Sequence, residues 1–415
     1  MNIYGLIVLI TLLFGYLVDF ITEILNLRAL KDELPKEFSD VYDADKYRKS
    51  QQYTRTRTRF GFLTSTFSLL LTLGFWFSGG FNILDIWIRD LGYGEIVTGL
   101  LYMGVLLIAR SAITLPFSIY STFVIEERFG FNKTTPATFI ADLVKGLLLG
   151  SVIGGILLAG ILAFFLYAGP QAWLYCWIAT TLFTLIMQFI APTWIMPLFN
   201  KFTPLEDGEL RSRIMDYAKS VNFPLQNLFV MDGSKRSSKS NAFFTGFGKN
   251  KRIALFDTLI ENHTIGELVA VLAHEIGHYK KKHILQSMVI GILHMGITFY
   301  LLSVFMTHSG LFDAFYMDNM SVYAGLIFFG MLFAPIEMIL SIFMQLFSRK
   351  NEFEADRYAV ETTEQPNDMV NVLKKLTADN LGNLTPHPLY VFLNYSHPPT
   401  LERIRAIREI PVMGK

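Results

Sequence analysis

The chain has 415 residues, of which 52% are hydrophobic and only 17% charged, whereas an average soluble domain is roughly 25% charged. This composition excludes a water-soluble globule and an intrinsically disordered chain, and it predicts a membrane protein. The net charge of +1 gives no basic footprint, so nucleic acid is excluded as a partner, and the single cysteine leaves no disulfide framework and no cysteine-based zinc site.

Seven apolar stretches are each close to the length of about 20 residues that a helix needs to cross a bilayer. We therefore predict a predominantly α-helical, polytopic membrane protein with lipid around its spans. The predicted spans are residues 3–18, 60–77, 99–120, 143–168, 172–190, 284–306 and 322–347.

The loops between these spans alternate in charge. Lys and Arg are concentrated in the first, third and fifth loops, and at most one occurs in each of the others. Because basic residues concentrate on the cytoplasmic side, we predict an external N-terminus and a cytoplasmic C-terminus. The two large polar segments, residues 200–283 and 348–415, should then both face the cytoplasm. The location is a bacterial inner membrane or a eukaryotic endoplasmic reticulum membrane. The predicted divisions are residues 1–199, 200–283, 284–347 and 348–415.

The segment 265–280 contains the motif His274-Glu275-Ile276-Gly277-His278. Its apolar residues recur at helical spacing, so His274 and His278 lie on one face and present two imidazoles to one point. Glu275 lies about 100° round the helix, where it can reach a water at a metal without binding the metal itself. The pattern predicts a zinc site with Glu275 as the general base.

The competing interpretation of this segment is an amphipathic helix that happens to carry two surface histidines. Gly277 argues against that interpretation, because glycine inside a helix costs about 1 kcal/mol relative to alanine and requires a packing or steric reason.

A catalytic zinc ion takes three protein ligands and keeps one position for water, so a third ligand must come from elsewhere. Glu352 and Asp356 share a helix face at spacing i, i+4, whereas Glu354 points about 200° away. Glu352 is the predicted third ligand, Asp356 hydrogen-bonds a ligand imidazole, and Glu354 is a solvated surface carboxylate. His283 is the rival third ligand, although on a continuous helix it is rotated about 140° from His278.

Residues 240–256 have glycines near a turn and aromatic or β-branched residues on either side, which predicts a β-hairpin. A free strand edge of such a hairpin can pair with an extended peptide by β-augmentation. The hairpin can equally serve only to brace the metal-binding helix, and the two roles are compatible.

Four separate motifs follow one another along the chain, and together they resemble the type I CAAX prenyl proteases over essentially its whole length. They are Glu-Glu-Arg-Phe-Gly-Phe-Asn-Lys at 126–133, His274 to His278, Glu352-x-x-x-Asp356 and Tyr-Ser-His-Pro-Pro at 395–399. The resemblance implies a ring of seven helices around a water-filled chamber, with the site at its cytoplasmic end. It also implies one Zn²⁺ held by His274, His278 and Glu352, with Glu275 as the base.

The same resemblance implies roles that residue spacing leaves open. His397 and Arg403 become catalytic donors to the charge of the transition state, and Asn241, Ala242 and Phe243 become the strand that holds substrate. Without the resemblance, His397 is a loop residue beside two prolines and Arg403 a surface charge. The implied substrate is a peptide or protein ending in C-a-a-X with a prenylated cysteine, from which the last three residues are removed.

Two alternative functions stay open at this point. One is a broader membrane protease of the HtpX type that does not require prenylation. The other is a transporter or receptor with a structural zinc site, which requires four protein ligands, and the sequence shows no obvious fourth.

Overall fold

The computed structural model describes residues 1–225, 227–245 and 252–411. Within these residues, seven helical spans are long and apolar enough to cross a membrane, and each overlaps one predicted stretch. The predicted number of spans is therefore confirmed. The observed spans are Ile3–Arg28, Ala44–Phe77, Glu95–Glu126, Pro136–Tyr167, Gly169–Phe199, His283–Phe305 and Val322–Thr363.

The first five spans and one short helix between them are built from eight α-helices. Three π-helical segments, Ser121–Glu126, Gly150–Gly154 and Ala191–Ile195, extend or join them, and they account for the length of the third, fourth and fifth spans. The α-helices are α1 (Ile3–Arg28), α2 (Ala44–Phe77), α3 (Gly80–Arg89), α4 (Glu95–Tyr120), α5 (Pro136–Leu149), α6 (Gly155–Tyr167), α7 (Ala172–Ile190) and α8 (Met196–Phe199).

The remaining elements are two further membrane helices, α12 and α14, the short helix α13 that lies between them beside α1 and α14, and the helices and strands of a polar domain. In chain order they are β1 (Phe202–Pro204), α9 (Glu209–Ser220), β2 (Asn227–Met231), β3 (Ala242–Thr245), β4 (Arg252–Phe256), α10 (Asp257–Asn262), α11 (Ile265–Lys280), α12 (His283–Phe305), α13 (Ser309–Asp313), α14 (Val322–Thr363), α15 (Pro366–Asp379), α16 (Pro388–Asn394) and α17 (Thr400–Arg408).

The membrane helices contact one another in a closed ring. α1 packs against α2 and α14, α12 packs against α14 and α7, and α6 packs against α7 and α4. Aromatic side chains join α2 to α4, since the rings of Phe60 and Phe67 lie 6.2 and 5.1 Å from that of Phe117. The ring of seven helices that the family resemblance implies is therefore present.

An aromatic core fills the end of the ring where α14 begins. Trp76, Phe81, Phe315 and Phe328 are all buried there, and the rings of Phe315 and Phe328 stack with their centroids 3.9 Å apart. Trp76 Nε1 also donates a hydrogen bond of 2.8 Å to the Ala314 carbonyl. Large aromatic side chains of this kind supply most of the apolar contact area in a core, so this end is firmly packed.

α14 connects that aromatic core to the polar domain as one helix of 42 residues, roughly 63 Å long at 1.5 Å per residue. The sequence predicted a span ending at residue 347 and a separate helix beyond it. The helix instead continues, because residues 348–363 contain neither glycine nor proline. Glu352 and Asp356 consequently lie on the same helix as the seventh membrane span.

The polar domain contains a four-stranded sheet in the order β1-β2-β4-β3. β3 pairs antiparallel with β4, with Ala242 opposite Leu255, which confirms the predicted hairpin. Its predicted turn at residues 246–251 lies outside the described residues. The sequence did not predict β1 and β2, which extend the hairpin by one parallel and one antiparallel pairing. β3 is left at the edge of the described sheet.

α11 packs closely against α14, and Gly277 is the reason that the two helices can approach. A Cβ atom added at Gly277 would lie 3.1 Å from both the Cα and the carbonyl oxygen of Ala355. These are backbone atoms of a long helix, which do not move aside as the end of a flexible side chain would. The steric reason that the sequence required for this glycine is therefore the contact between the two helices.

Candidate metal centre and active site

His274, His278 and Glu352 converge where α11 crosses α14. Their ligand atoms all lie within 4.8 Å of one another. The two imidazole Nε2 atoms are 3.1 Å apart, and the Glu352 carboxylate oxygens lie 3.6 Å from His274 Nε2 and 3.3 Å from His278 Nε2. The three residues that the motifs singled out as ligands are thus brought together.

The chemistry of this cluster fits a divalent metal ion. Two imidazole nitrogens and one carboxylate oxygen form a donor set that zinc accepts in catalytic sites. Glu352 Oε2 is buried and accepts no hydrogen bond from any described residue, although the Arg403 guanidinium lies 3.3 Å from it as an ion-pair partner. A buried carboxylate oxygen without a hydrogen bond, beside two converging imidazoles, is costly unless a cation binds between them.

Asp356 and Arg403 support the cluster from behind. The Asp356 Oδ1 atom lies 2.9 Å from His274 Nδ1, as predicted for a carboxylate that orients a ligand imidazole. Arg403 on α17 donates two hydrogen bonds of 2.7 and 2.6 Å to Asp356, and its Nη1 lies 3.3 Å from Glu352 Oε2. Arg403 is buried, which corrects the interpretation of it as a surface charge.

His397 lies on the open side of the cluster. Its side chain is 65% exposed, and Nε2 lies 3.4 Å from Glu352 Oε1. Its other ring nitrogen lies 3.0 Å from the hydroxyl of Ser396. His397 is therefore close to the candidate metal ligands and still accessible to a substrate. A loop residue without a role in the site need not combine these two properties.

Glu275 lies beside the ligands without belonging to them. It is partly buried, and its carboxylate makes no hydrogen bond to the described part of the chain. Burial raises the pKa of this carboxyl group, although the neighbouring histidines His274 and His278 pull it in the opposite direction. A carboxylate with a raised pKa is better able to accept and hold a proton.

His283 and Glu354 lie next to His278 rather than where the sequence placed them. The Nδ1 atoms of His278 and His283 are 3.0 Å apart, and His283 Nε2 lies 3.1 Å from Glu354 Oε2. His283 is not a member of the three-residue cluster. Glu354 is 40% exposed, in keeping with the prediction of a surface carboxylate, but it also contacts His283, because the chain leaves the helix at Lys282 and returns His283 to it.

Asn241, Ala242 and Phe243 lie on the edge of the sheet beside α11, which contacts β3. The Phe256 amide donates a hydrogen bond of 3.1 Å to the Asn241 carbonyl, so Asn241 faces β4 and the backbone groups of Ala242 face the open edge. The Asn241 side chain accepts from the Ala242 amide at 2.8 Å. Phe243 follows in the strand, opposite Ala254.

The loop at residues 126–133 holds the segment that leads into β3, through long-range contacts that no local pattern in the sequence predicts. Ser238 N donates to the Phe131 carbonyl at 3.1 Å. Lys239 lies 2.8 Å from Glu126, which also accepts from Tyr53 at 2.7 Å and from Arg57 at 2.8 Å. The motif at 126–133 therefore connects a membrane helix to the edge strand.

A second ion pair connects the two parts of the protein nearby. Arg236 donates hydrogen bonds of 2.7 and 2.9 Å to the two oxygens of Asp142, which lies in the fourth span. This bidentate pairing is geometrically specific, and it ties the segment before β3 to α5. The edge strand is thus held by two ion pairs to the membrane helices.

A ring of membrane helices beside a cluster of two imidazoles and a carboxylate is typical of the membrane metallopeptidases. Comparison with known proteins identifies the family within this class. Residues 204–411 match the model of peptidase family M48, and residues 23–201 match the model described as the CAAX prenyl protease N-terminal domain with five membrane helices. The chain belongs to peptidase family M48.

Relatives match this chain over almost its whole length. It is 39% identical to an Arabidopsis thaliana CAAX prenyl protease 1 homolog over 94% of both chains, and 35% identical to Saccharomyces cerevisiae CAAX prenyl protease 1, covering 90% of this chain and 88% of the relative. The crystal structure of S. mikatae Ste24p superimposes with a TM-score of 0.93 and 33% identity, covering 98% of this chain and 99% of that one. The protein is a membrane metallopeptidase of this type.

The support from Arg403 can be tested by comparing two arginines of α17. Arg403→Gln leaves the buried carboxylates of Asp356 and Glu352 without a cation, and we expect the metal-free protein to lose about 3–5 kcal/mol of unfolding free energy. Arg408→Gln is the control, since Arg408 also makes a bidentate pair, with Glu37, but is 56% exposed. Its loss should be about 0–1 kcal/mol. Chemical unfolding in detergent measures both, and equal losses would contradict the assigned role of Arg403.

Proposed function

We propose that the protein is a zinc-dependent endopeptidase that cleaves near the C-terminus of prenylated CAAX proteins. The convergence of His274, His278 and Glu352 beside Glu275 carries this proposal. Membership of family M48 gives a metal, and the donor set of two nitrogens and one oxygen favours zinc. The described residues form one such cluster, which supports one ion per chain. A structural site would require a fourth protein ligand, so the cluster of three favours catalysis.

In the proposed mechanism Glu275 acts as general base and then as general acid. Zinc, when bound, polarises the scissile carbonyl and makes water a better nucleophile. Glu275 takes the proton of the attacking water and passes it to the amine nitrogen of the leaving peptide. Because burial raises the pKa of Glu275, its carboxyl group can hold the proton between these two transfers.

His397 and Arg403 differ in what they contribute. His397 is exposed and close to Glu352, so it can donate to the oxygen on which negative charge develops, an interaction that is typically worth about 2.7–4 kcal/mol. Arg403 directs all three of its guanidinium nitrogens at Asp356 and Glu352. Its contacts favour a role in holding these carboxylates, through which it acts on the reaction.

The substrate binds as an additional strand along β3. The backbone groups of Ala242 face the open edge, where the amide donates to the Asn241 side chain. An extended peptide that replaces this contact can form main-chain hydrogen bonds along the edge. A groove of about 430 Å³ is lined by His397 and Arg403, and a cavity of about 650 Å³ is lined by His278 and Ser396. Both spaces border the cluster, so parts of the substrate beyond the strand paired with β3 have room there.

The active site faces the cytoplasm in this proposal. The loop charges support that orientation, since the polar segments carry most of the basic residues. The four divisions of the chain then correspond to a five-span membrane part at residues 1–199, a catalytic segment at 200–283, two further spans at 284–347, and a C-terminal segment at 348–415 that contains Glu352 and Asp356.

The proposed base and third ligand can be separated by two substitutions. Glu275→Gln should reduce peptide cleavage by a factor of about 10²–10⁴ while the bound zinc stays at one ion per chain. Glu352→Gln should lower the zinc content itself. Metal analysis of purified protein and a peptide cleavage assay measure both effects. Full activity in Glu275→Gln would remove the base, and undiminished zinc in Glu352→Gln would remove the ligand.

The requirement for prenylation can be tested with one peptide in two forms. We expect a farnesylated CAAX peptide to be cleaved with a kcat/KM about tenfold or more above that of its unprenylated twin, a difference of about 1.4 kcal/mol. The Glu275→Gln protein serves as the blank for both peptides. Equal rates would instead favour the broader HtpX-like protease.

The orientation can be tested by cysteine labelling after Cys176 is replaced by serine. Lys219→Cys lies on α9 of the polar domain, and Asp90→Cys follows α3 at the opposite end of the ring. In sealed vesicles with the cytoplasmic face outward, an impermeant maleimide should label Lys219→Cys at once and Asp90→Cys only after detergent is added. The reverse order would place the active site on the other side.

A further inference from the structure

We propose that His283 and Glu354 are positioning residues that orient the metal ligand His278 through a two-step hydrogen-bond relay. This inference rests on the proposed zinc site and adds to it two residues outside the ligand set. The relay runs from Glu354 on α14 through His283 at the start of α12 to His278 on α11. It would hold the second ligand imidazole as Asp356 holds the first.

The tautomers of His278 and His283 follow from their contacts. His278 Nε2 faces the other two ligands, 3.1 Å from His274 Nε2 and 3.3 Å from Glu352. An imidazole that binds a metal through Nε2 carries its proton on Nδ1. That proton points at His283 Nδ1, 3.0 Å away, so His283 must accept there.

The second step of the relay follows from the first. A neutral His283 that accepts at Nδ1 carries its own proton on Nε2, and Glu354 Oε2 lies 3.1 Å from that atom. Each imidazole N–H in the relay then has an acceptor, and the relay ends at the Glu354 carboxylate. In the opposite tautomer the His278 N–H would point into the ligand cluster and prevent metal binding.

The relay residue His283 lies in the interior of the protein and not on its surface. His283 is only 4% exposed, so a ring nitrogen without a partner there would be costly. The backbone is arranged to bring the ring to this place, since Lys282 between α11 and α12 adopts a left-handed conformation with φ of +62°. Non-glycine residues rarely adopt that region, and here the turn directs His283 towards His278.

The two halves of the site are supported differently. His274 faces the carboxylate of Asp356, which Arg403 holds in place. Among the described residues, His278 has no carboxylate in direct contact apart from the proposed ligand Glu352, and His283 lies between it and Glu354. Glu354 is 40% exposed and its only other ion-pair partner among the described residues is Lys350, at 3.6 Å. α14 therefore supplies one ligand and the acceptors behind both histidines.

The test measures zinc affinity, by competition with a chelator at fixed pH, on the full-length protein in detergent. His283→Phe keeps the ring volume and removes both nitrogens, and we expect zinc affinity to fall by about 10–100-fold. Glu354→Ala should weaken binding in the same direction. Glu354→Gln, which keeps an acceptor oxygen, should restore most of the loss, and Lys350→Gln should bind zinc as the wild type does.

The outcomes separate this inference from the proposed function. If the wild-type protein binds no zinc, the metal site itself is wrong. If the wild type binds zinc and both His283→Phe and Glu354→Ala bind it equally well, the relay is overturned while the site stands. If His283→Phe loses zinc while Glu354→Ala does not, His283 acts by itself and the two-step relay is likewise overturned. The partly exposed position of Glu354 makes Glu354→Ala informative even if His283→Phe does not fold.

Discussion

The contact between α11 and α14 at Gly277 is the constraint on which the site depends. Gly277 lets the backbone of α14 approach so closely that a Cβ atom at this position would lie 3.1 Å from the Ala355 backbone. Glu352 lies about one turn of α14 before that contact. His274 and His278 flank Gly277 on the facing helix. A wider separation would move the carboxylate away from both imidazoles together, since each helix carries its ligands rigidly. The metal site is thus a property of one helix crossing.

The electrostatic balance of the site follows from that crossing. It buries the carboxylates of Glu352 and Asp356, and buried carboxylates are stable only when they are paired or bind a cation. Arg403 satisfies Asp356 with two hydrogen bonds and reaches Glu352 with its remaining nitrogen. One guanidinium cannot neutralise two buried carboxylates, so a further positive charge beside Glu352 would stabilise the pair. The metal ion that we propose at this site would complete the balance.

Local periodicity predicted which side chains share a helix face, because His274 and His278 lie at spacing i, i+4, as do Glu352 and Asp356, and the structure brings these two faces together. The positions of His283 and Glu354 could not be predicted in this way. The sequence argument continued the helix beyond His278, whereas Lys282 adopts a positive φ and turns the chain back. Arg403, Lys239 and Glu126 were beyond reach for another reason, since their partners are far away in sequence and periodicity carries no information about them. β1 and β2 were missed because two short strands without a nearby turn leave little pattern.

The two parts of the protein differ in how tightly they are packed, and this difference has a consequence for catalysis. In the membrane, only 6–22% of the residues of each apolar window are buried within the protein, so most of each helix surface faces lipid or the interior of the ring. α11, by contrast, buries more than half of its residues against α14, α15 and α9. Catalytic groups must be held to within about 0.5 Å, which a loosely packed ring does not ensure. α14 resolves this conflict, because it is anchored in the aromatic core at one end and in the polar domain at the other, and it carries Glu352 in the tightly packed part.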